Sequence, residues 1–491
     1  MSGTRPLLCA TVTGATTDEL RLNRDRVAEA DLIELRLDFV DRPDVSGVLA
    51  DRRLPVVVTC RPQWEGGCFS GSEEERRQIL EAAVVGGAEY VDIEWQAGFD
   101  DLIGLRRGQG IVLSHHDFDG IPDDIDDRYR AMRSTGAEVV KVATAVDCLR
   151  DTLTLAGLGN NALGERKVVI GMGVSGIPSR VLPGRYGSCW TYAGDTVAPG
   201  QIELDRMRDE YRFRNIGENT AIYGVLGRPV GHSLSPAMHN AGFAAHGIDA
   251  IYLPLEAKDL DDFTEFARAV PLAGVSVTAP FKERVFENLV KVDKVGRQVG
   301  AVNTLCFRNS GWEGVNTDVH GFLAPLRDRI NFAGTRASVL GAGGASRAVA
   351  VALAGVGAEV SICARDEERA SNVAAAIGVT SASFPPARKS WDVLVNTTPV
   401  GTFPDIDATP LPNETFDGHL VYDLIYNPRV TRLMARAMSA GCDAIGGLPM
   451  LVSQAVRQFD LWTGIEPSSD LFHQAAEREL LRQSMVGNQE S

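Results

Sequence analysis

Short apolar, β-branched runs alternate with longer stretches of helical character through the first part of the chain. Strands are expected at 7–12, 32–37, 55–60, 90–94, 111–114, 138–143, 167–172 and 188–192, with helices such as 72–85, 123–134 and 147–158 between them. Eight strand–helix units in this length are what a (β/α)8 barrel needs, with an open doubly wound sheet as the alternative. The pattern breaks over 212–220 and a new strand follows at 221–226, so a boundary is placed near residue 217. Strands at 221–226, 250–254 and 274–278 belong to a small α/β unit over 218–320. A hairpin of 302–307 with 314–317, turning at Asn309-Ser310-Gly311, closes that unit. Residues 321–447 read as a parallel sheet with strands at 337–340, 359–363, 391–396 and 419–424.

The length of 491 residues exceeds what one core holds, in keeping with several domains. A formal net charge of −16 disfavours a nucleic-acid or anionic-membrane partner, because a polyanion is repelled; small acidic substrates remain open, since a pocket can be locally basic. The eight cysteines are scattered without a C-x-x-C pair, which points to reduced thiols in a cytoplasmic setting rather than a disulfide frame or a zinc site. No secretory signal and no apolar run of spanning length are visible.

In a barrel, chemistry sits at the C-terminal ends of the strands. There the chain carries Glu34, Arg36, Arg61, Glu94, His116 and Lys141. Lys141 lies in the apolar run Val139-Val-Lys-Val-Ala143; facing the interior it would lose its water and become a nucleophile towards a ketone, while facing outward it would only snorkel. His116 beside it could shuttle a proton, and Glu94 could orient that histidine. Arg36, Arg61 and Arg180 would grip an anionic substrate. A metal at His115-His116-Asp117 is a poor reading, because neighbours on an extended segment point to opposite faces.

The second half carries Leu340-Gly341-Ala342-Gly343-Gly344-Ala345, a glycine turn between a strand and an apolar helix, where a pyrophosphate is held by the helix N-terminal N–H groups. The third glycine of the usual fingerprint is absent, and a plain strand–turn–helix is the alternative. The strand at 359–363 leads to Arg365, which favours the 2′-phosphate of NADP, but Asp366 follows and pulls towards NAD. Ser233 and Ser235 precede a helix, where they serve an oxyanion or an ordinary N-cap. Lys282 and Asp318 make a proton-transfer pair or a surface salt bridge.

Glu34-Leu-Arg36, His116-Asp-Phe118, the Lys141 strand, Ser179-Arg180 and Ala198-Pro-Gly-Gln201 together resemble type I 3-dehydroquinate dehydratase over residues 5–212. The resemblance implies a Schiff base at Lys141, proton transfer by His116 paired with Glu94, and substrate binding by Glu34, Arg36, Arg61, Arg180 and Gln201. Val197 stands where many members have a serine, which puts one lid hydrogen bond in doubt. From about 220 to 480, the run from Tyr223 through His232-Ser-Leu-Ser235, Thr278-Ala-Pro-Phe-Lys282, Gly300-Ala-Val-Asn303, Asn316-Thr-Asp318, the glycine turn and Gly447-Leu-Pro-Met450 to Gln454 resembles shikimate dehydrogenase. That resemblance implies a carboxylate on Ser233 and Ser235, hydroxyls on Thr278, Asn303 and Gln454, and catalysis by Lys282 and Asp318. It also implies NADP against Gly341, Ala342, Gly343, Gly344, Ala345, Arg365, Asn396, Thr397, Thr398, Tyr426, Gly447 and Met450. Helices over 448–485 would return to complete the 218–320 lobe. The expected protein is a two-enzyme chain acting in succession on 3-dehydroquinate and 3-dehydroshikimate. A non-catalytic metabolite sensor, or a second domain preferring quinate or NAD, is the alternative.

Overall fold

The computed structural model describes residues 5–159, 165–195, 197–309, 311–327, 329–413 and 415–487. Its compact units are residues up to 221 with 249–271, and 222–248 with 272 onward. No helix among the described residues is long and apolar enough to cross a membrane.

The first unit is built on eight parallel strands: β1 (Leu7–Val12), β2 (Leu32–Arg36), β3 (Val56–Thr59), β4 (Tyr90–Glu94), β5 (Ile111–Asp117), β6 (Val139–Ala145), β7 (Arg166–Met172) and β8 (Trp190–Gly194). They run β7-β6-β5-β4-β3-β2-β1-β8. A single bridge, Lys167 to Ser188, nearly closes the ring, with Cys189 N donating to Lys167 O at 2.8 Å. β8 begins two residues later than the sequence suggests, because the Ser188 hydroxyl takes the Val169 N–H (2.9 Å) that a ladder carbonyl would otherwise accept. β5 runs three residues longer than expected and pairs with β6 as far as Asp117–Thr144, so His116 is a strand residue. Side chains alternate across a strand. One inward face therefore presents Asp92 and Glu94 from β4, Ser114 and His116 from β5, and Lys141 and Ala143 from β6.

β9 (Ala221–Gly227) opens the second unit. Next in the chain come β10 (Ala250–Glu256) and the helix Leu260–Ala269, which group with the barrel by contact. Asp262, only 1% exposed, holds them there. Its carboxylate accepts from Leu149 N (3.2 Å) and Arg150 N (2.7 Å) at the start of the barrel helix Leu149–Gly157, and from Lys258 N (2.9 Å). Asp262→Ala leaves three N–H groups, that of Leu149 buried, without this acceptor and is expected to cost the first unit about 1–3 kcal/mol, read as a lower urea midpoint.

In the second unit β11 (Leu272–Val277) lies parallel to β9. The short β12 (Lys291–Val292) pairs with β14 (Gly311–Val315), and β13 (Thr304–Arg308) runs antiparallel to both β11 and β14. The hairpin is tighter than expected: Arg308 faces Gly311 across the turn, and Trp312 meets Phe307 with ring centroids 5.1 Å apart, so β14 starts before residue 314. Ser310 of the expected turn lies outside the described residues.

The remaining strands are β15 (Arg336–Leu340), β16 (Glu359–Cys363), β17 (Thr380–Ala382), β18 (Val393–Asn396), β19 (Leu420–Asp423) and β20 (Asp443–Ile445), all parallel. Their order, β17-β16-β15-β18-β19-β20, reverses direction between β15 and β18. In open α/β sheets a ligand crevice opens at that point, beyond the carboxyl ends of the strands. Its core packs Val339, Ile362, Val395 and Tyr422 against Val349 and Leu353 of the helix Gly344–Gly355.

Candidate active sites

A small cavity of about 50 Å³ at the C-terminal ends of the barrel strands is lined by Glu34, Arg36, Arg61, Glu65, His116, Lys141, Arg180, Val197 and Gln201 among others. The Lys141 amine is 3.0 Å from Asp92 Oδ2, 3.7 Å from Glu34 Oε1 and 4.3 Å from the centre of the Tyr192 ring. It faces inward as expected, but between carboxylates rather than in a purely apolar pocket. Glu34 is in turn fixed by the hydroxyls of Thr11 (2.9 Å) and Thr59 (3.0 Å).

The structure corrects one assignment: Glu94 does not pair with His116. Glu94 is enclosed by Arg61 and Arg76, and its two oxygens are spent on them. The partner of His116 is Glu65, whose Oε1 is 2.8 Å from Nδ1 and also accepts the backbone N–H of His116 at 2.7 Å. The reason is geometric. Glu65 lies four residues beyond Arg61 on a turn closed by Gly66 in the left-handed region (φ 76°), which folds its carboxyl group over the end of β5. Burial raises Glu65 to about 8. Burial, with Arg61, Lys141 and Arg36 nearby, holds His116 well below its ordinary range. Both shifts favour a neutral imidazole, the form able to accept a proton.

The three arginines divide. Arg36 is held by both oxygens of buried Asp38 (2.9 and 2.7 Å), and Arg61 by Asp92 (3.0 Å) and Ser114 (2.8 Å). Among the described residues Arg180 meets only Pro199 O, at 3.1 Å, and its buried Nε has no hydrogen-bond partner there. Burial without a carboxylate lowers it to about 10. Gln201 likewise has a buried, unpartnered Nε2. Both sit by the loop Ala198-Pro-Gly200, where Gly200 is left-handed (φ 72°) and a Cβ would come within 2.6 Å of Gly173 O. An unpaired buried cation beside unsatisfied donors is an acceptor-seeking pocket, suited to a carboxylate and hydroxyls.

A second cavity, about 360 Å³, lies in the second unit and is lined by Ser233, Ser235, Thr278, Lys282, Asn303, Asp318, Tyr426, Gly447, Met450, Gln454 and Gln458 among others. Lys282 Nζ is 2.6 Å from Asp318 Oδ2. Asp318 Oδ1 accepts from Asn303 Nδ2 at 2.8 Å, which also meets Thr317 Oγ1 (2.9 Å) and Gln454 Oε1 (3.2 Å). Two N–H groups facing three acceptors leave the Gln454 contact the weakest, while Gln454 Nε2 donates to Leu451 O at 2.8 Å. Gln458, one turn beyond Gln454, donates to Asn303 O and Thr304 Oγ1 (3.0 Å each) and accepts from Ser276 (2.8 Å). Ser233 Oγ accepts Ser235 N at 3.3 Å, which leaves its own hydrogen available for an anion.

Three segments of the chain match known family models: Type I 3-dehydroquinase over 8–218, Shikimate dehydrogenase substrate binding domain over 225–305, and Shikimate 5′-dehydrogenase C-terminal domain over 447–477. A shikimate dehydrogenase (NADP(+)) of Methanosarcina mazei is 41% identical over 51% of this chain and 95% of its own. A crystal structure of shikimate 5-dehydrogenase from Thermus thermophilus in complex with NADP(H) and shikimate superposes with a TM-score of 0.50 and 38% identity, covering 53% of this chain and 99% of that one. The bifunctional 3-dehydroquinate dehydratase/shikimate dehydrogenase, chloroplastic, of Arabidopsis thaliana is 33% identical over 95% of this chain and 84% of its own length. The chain belongs to the bifunctional 3-dehydroquinate dehydratase/shikimate dehydrogenase family.

The dehydrogenase half of this family member presents a dinucleotide cradle at the crevice of its parallel sheet. Gly341 is left-handed (φ 109°), and a Cβ there would come within 2.7 Å of Thr397 Oγ1, so the turn admits only glycine. Gly343 begins the helix Gly344–Gly355 with no side-chain cap, and a Cβ on it would meet nothing within 4 Å; the first-turn N–H groups are left for an anion. Arg365 is exposed at the end of β16. Asp366 caps the helix Glu367–Ile377, accepting Arg369 N at 2.9 Å, so its carboxylate serves a helix start. Asn396 is wholly buried; its carboxamide joins Asp423 (2.9 Å) to Thr398 (2.7 Å), and it acts by placing that threonine. Tyr426, Gly447 and Met450 line the large cavity together with Ser233 and Lys282.

The dehydratase half shows what sequence reasoning missed. Glu65 and Asp92 both make the decisive contacts. Parity with Glu94 on β4 would have pointed to Asp92, and the glycine pair after Glu65 to its turn. Gln458 was equally readable as the residue one turn beyond Gln454.

Proposed function

We propose that the barrel dehydrates 3-dehydroquinate to 3-dehydroshikimate and that the second unit reduces 3-dehydroshikimate to shikimate with NADPH. The observation that carries the first half is an inward amine, Lys141, in one cavity with a neutral His116–Glu65 pair and an unpaired Arg180. The substrate carboxylate sits on Arg180, and Gln201 takes a hydroxyl. Lys141 lends one ammonium proton to the adjacent carboxylates and adds to the C3 ketone as the amine; that proton returns to the carbinolamine oxygen, which leaves as water, forming an iminium. The iminium is an electron sink, so neutral His116 can remove a C2 proton. The imidazolium then protonates the departing C1 hydroxyl. Hydrolysis of the iminium frees Lys141, and the net change is loss of one water.

In the second unit Ser233 and Ser235 bind the carboxylate, and Thr278, Asn303 and Gln454 the hydroxyls. Lys282, aligned by Asp318, gives the ketone oxygen its proton. When bound, NADPH would supply the hydride, and the crevice beyond β15 and β18 carries the residues that would hold it. Gly341, Ala342, Gly343, Gly344 and Ala345 form the pyrophosphate cradle, with Thr397 and Thr398 beside it. Arg365 favours the 2′-phosphate, and Asp366, being occupied as a cap, does not oppose it. Scattered free thiols are in keeping with a cytoplasmic setting.

The test is to supply 3-dehydroquinate alone, then with NADPH, then with NADH. Enone absorbance should rise with substrate alone, and cofactor oxidation should follow with NADPH well ahead of NADH. No enone absorbance would refute the barrel assignment, and equal rates with NADH would refute the cofactor assignment.

A further inference from the structure

β2 ends in Glu34-Leu-Arg36, and the next three residues, Leu37-Asp38-Phe39, wind back in one short 3₁₀ turn. Alternation along the strand puts Glu34 and Arg36 on one face, and both line the barrel cavity. The turn brings its last two residues round onto the Arg36 guanidinium. Asp38, whose side chain is wholly buried, grips the Nε–Nη2 edge as a fork at 2.9 and 2.7 Å. Phe39 covers one face of the group, with its ring centre 5.2 Å from Cζ.

A guanidinium carries five N–H donors in one fixed plane, and the fork uses two of them. Among the described residues Nη1 makes no hydrogen bond. With the second Nη2 hydrogen it forms the end-on edge, which is left for the cavity that Arg36 lines. The other two arginines of this cavity differ. Arg61 has both terminal nitrogens engaged, with Ser114 and Asp92, and Arg180 has no carboxylate to direct it. Arg36 alone is held by a partner that fixes its direction and still leaves donors over. An arginine tethered only by its own stem samples many rotamers, and ordering it on arrival of a ligand takes affinity away. Released, Arg36 also has Glu34 on the same strand face as an alternative partner, and that pairing would turn it away from a substrate.

We propose that Asp38 and Phe39 are positioning residues of the dehydration site. They hold Arg36 with its end-on edge towards the cavity, so that the substrate meets N–H donors already in place. This rests on the dehydratase reading above.

The test is KM and kcat, measured separately, for dehydration of 3-dehydroquinate by the full chain. Asp38 also accepts Cys68 N at 3.1 Å, and Asp38→Asn keeps an oxygen for that N–H while setting a carboxamide N–H₂ against the guanidinium. This variant is expected to raise KM about tenfold and to leave kcat within about twofold. Arg36→Met raises KM by itself. Asp38→Asn added to it should change KM by less than about twofold more, because nothing is left to position. A full tenfold rise in the Arg36→Met background would mean that Asp38 serves the fold and not Arg36, and would overturn the proposal. So would an unmoved KM in Asp38→Asn, or a loss that falls on kcat instead. Thermal melts report folding. Should Asp38→Asn fail to fold, Phe39→Ala decides, at a ring already 36% exposed. It is expected to raise KM about threefold in the native background and not at all beside Arg36→Met. An unmoved KM in Phe39→Ala, or an equal rise in both backgrounds, overturns the proposal. Absence of enone formation by the unaltered protein would instead defeat the dehydratase reading itself.

Discussion

Lys141→Ala is expected to lower dehydration of 3-dehydroquinate by about 10⁴-fold or more, because it removes the atom that makes the covalent bond. Reduction of 3-dehydroshikimate should be unchanged, since each cavity is lined wholly within its own unit. The loss should fall on kcat, with Arg180 and Gln201 still present to bind substrate. Borohydride added during turnover should attach the carbon skeleton to the peptide containing Lys141 and to none in the variant. Two lysines make this informative. Lys167 also sits on a barrel strand, but its amine donates to Ala156 O at 3.0 Å on the far side of the sheet and should not be labelled. Loss of both activities in Lys141→Ala, or labelling elsewhere, would contradict the assignment.

Lys282→Ala is expected to lower kcat for reduction by about 10³-fold, within the range of a lost general acid, with a small change in KM. The ammonium is 2.6 Å from Asp318, and Asp318 is held from its other side by Asn303 at 2.8 Å. Removing the amine therefore leaves the hydroxyl-binding residues in place. Asp318→Asn should cost a similar factor, and the double variant little more than either alone, because the two act as one device. Spectrophotometry of NADPH with purified 3-dehydroshikimate separates these outcomes. Additive losses would mean that the two residues work independently. Dehydration should be unaffected in all three.

The barrel strands and β15, β16, β18 and β19 were legible because they are largely buried apolar runs punctuated by turn residues; β17, which is exposed, and β20, which is buried only at Ile445, carry no such signal and were not expected. Strand ends were less legible. β5 continues through His115, His116 and Asp117, three polar residues that propensity assigns to a loop, because the β6 backbone beside them continues the ladder. The Asp262 contact was also hidden: it reads as an ordinary acid in a helix, and only the facing N–H groups of Leu149 and Arg150 show that it is a clasp.

By itself the amino-acid order determined the two layered architectures, the glycine turn, and the identity of both lysines with most of the polar side chains around them. Those are local properties, set by periodicity and by residue type at strand ends. Folding decided which carboxylate serves which base. Glu65 and Glu94 are equivalent acids on paper, and proximity along the chain points to the wrong one, Glu94. A turn through Gly66 carries one onto His116, while a helix carries Arg76 onto the other, and pairing of charge depends on distances that only the packed barrel creates.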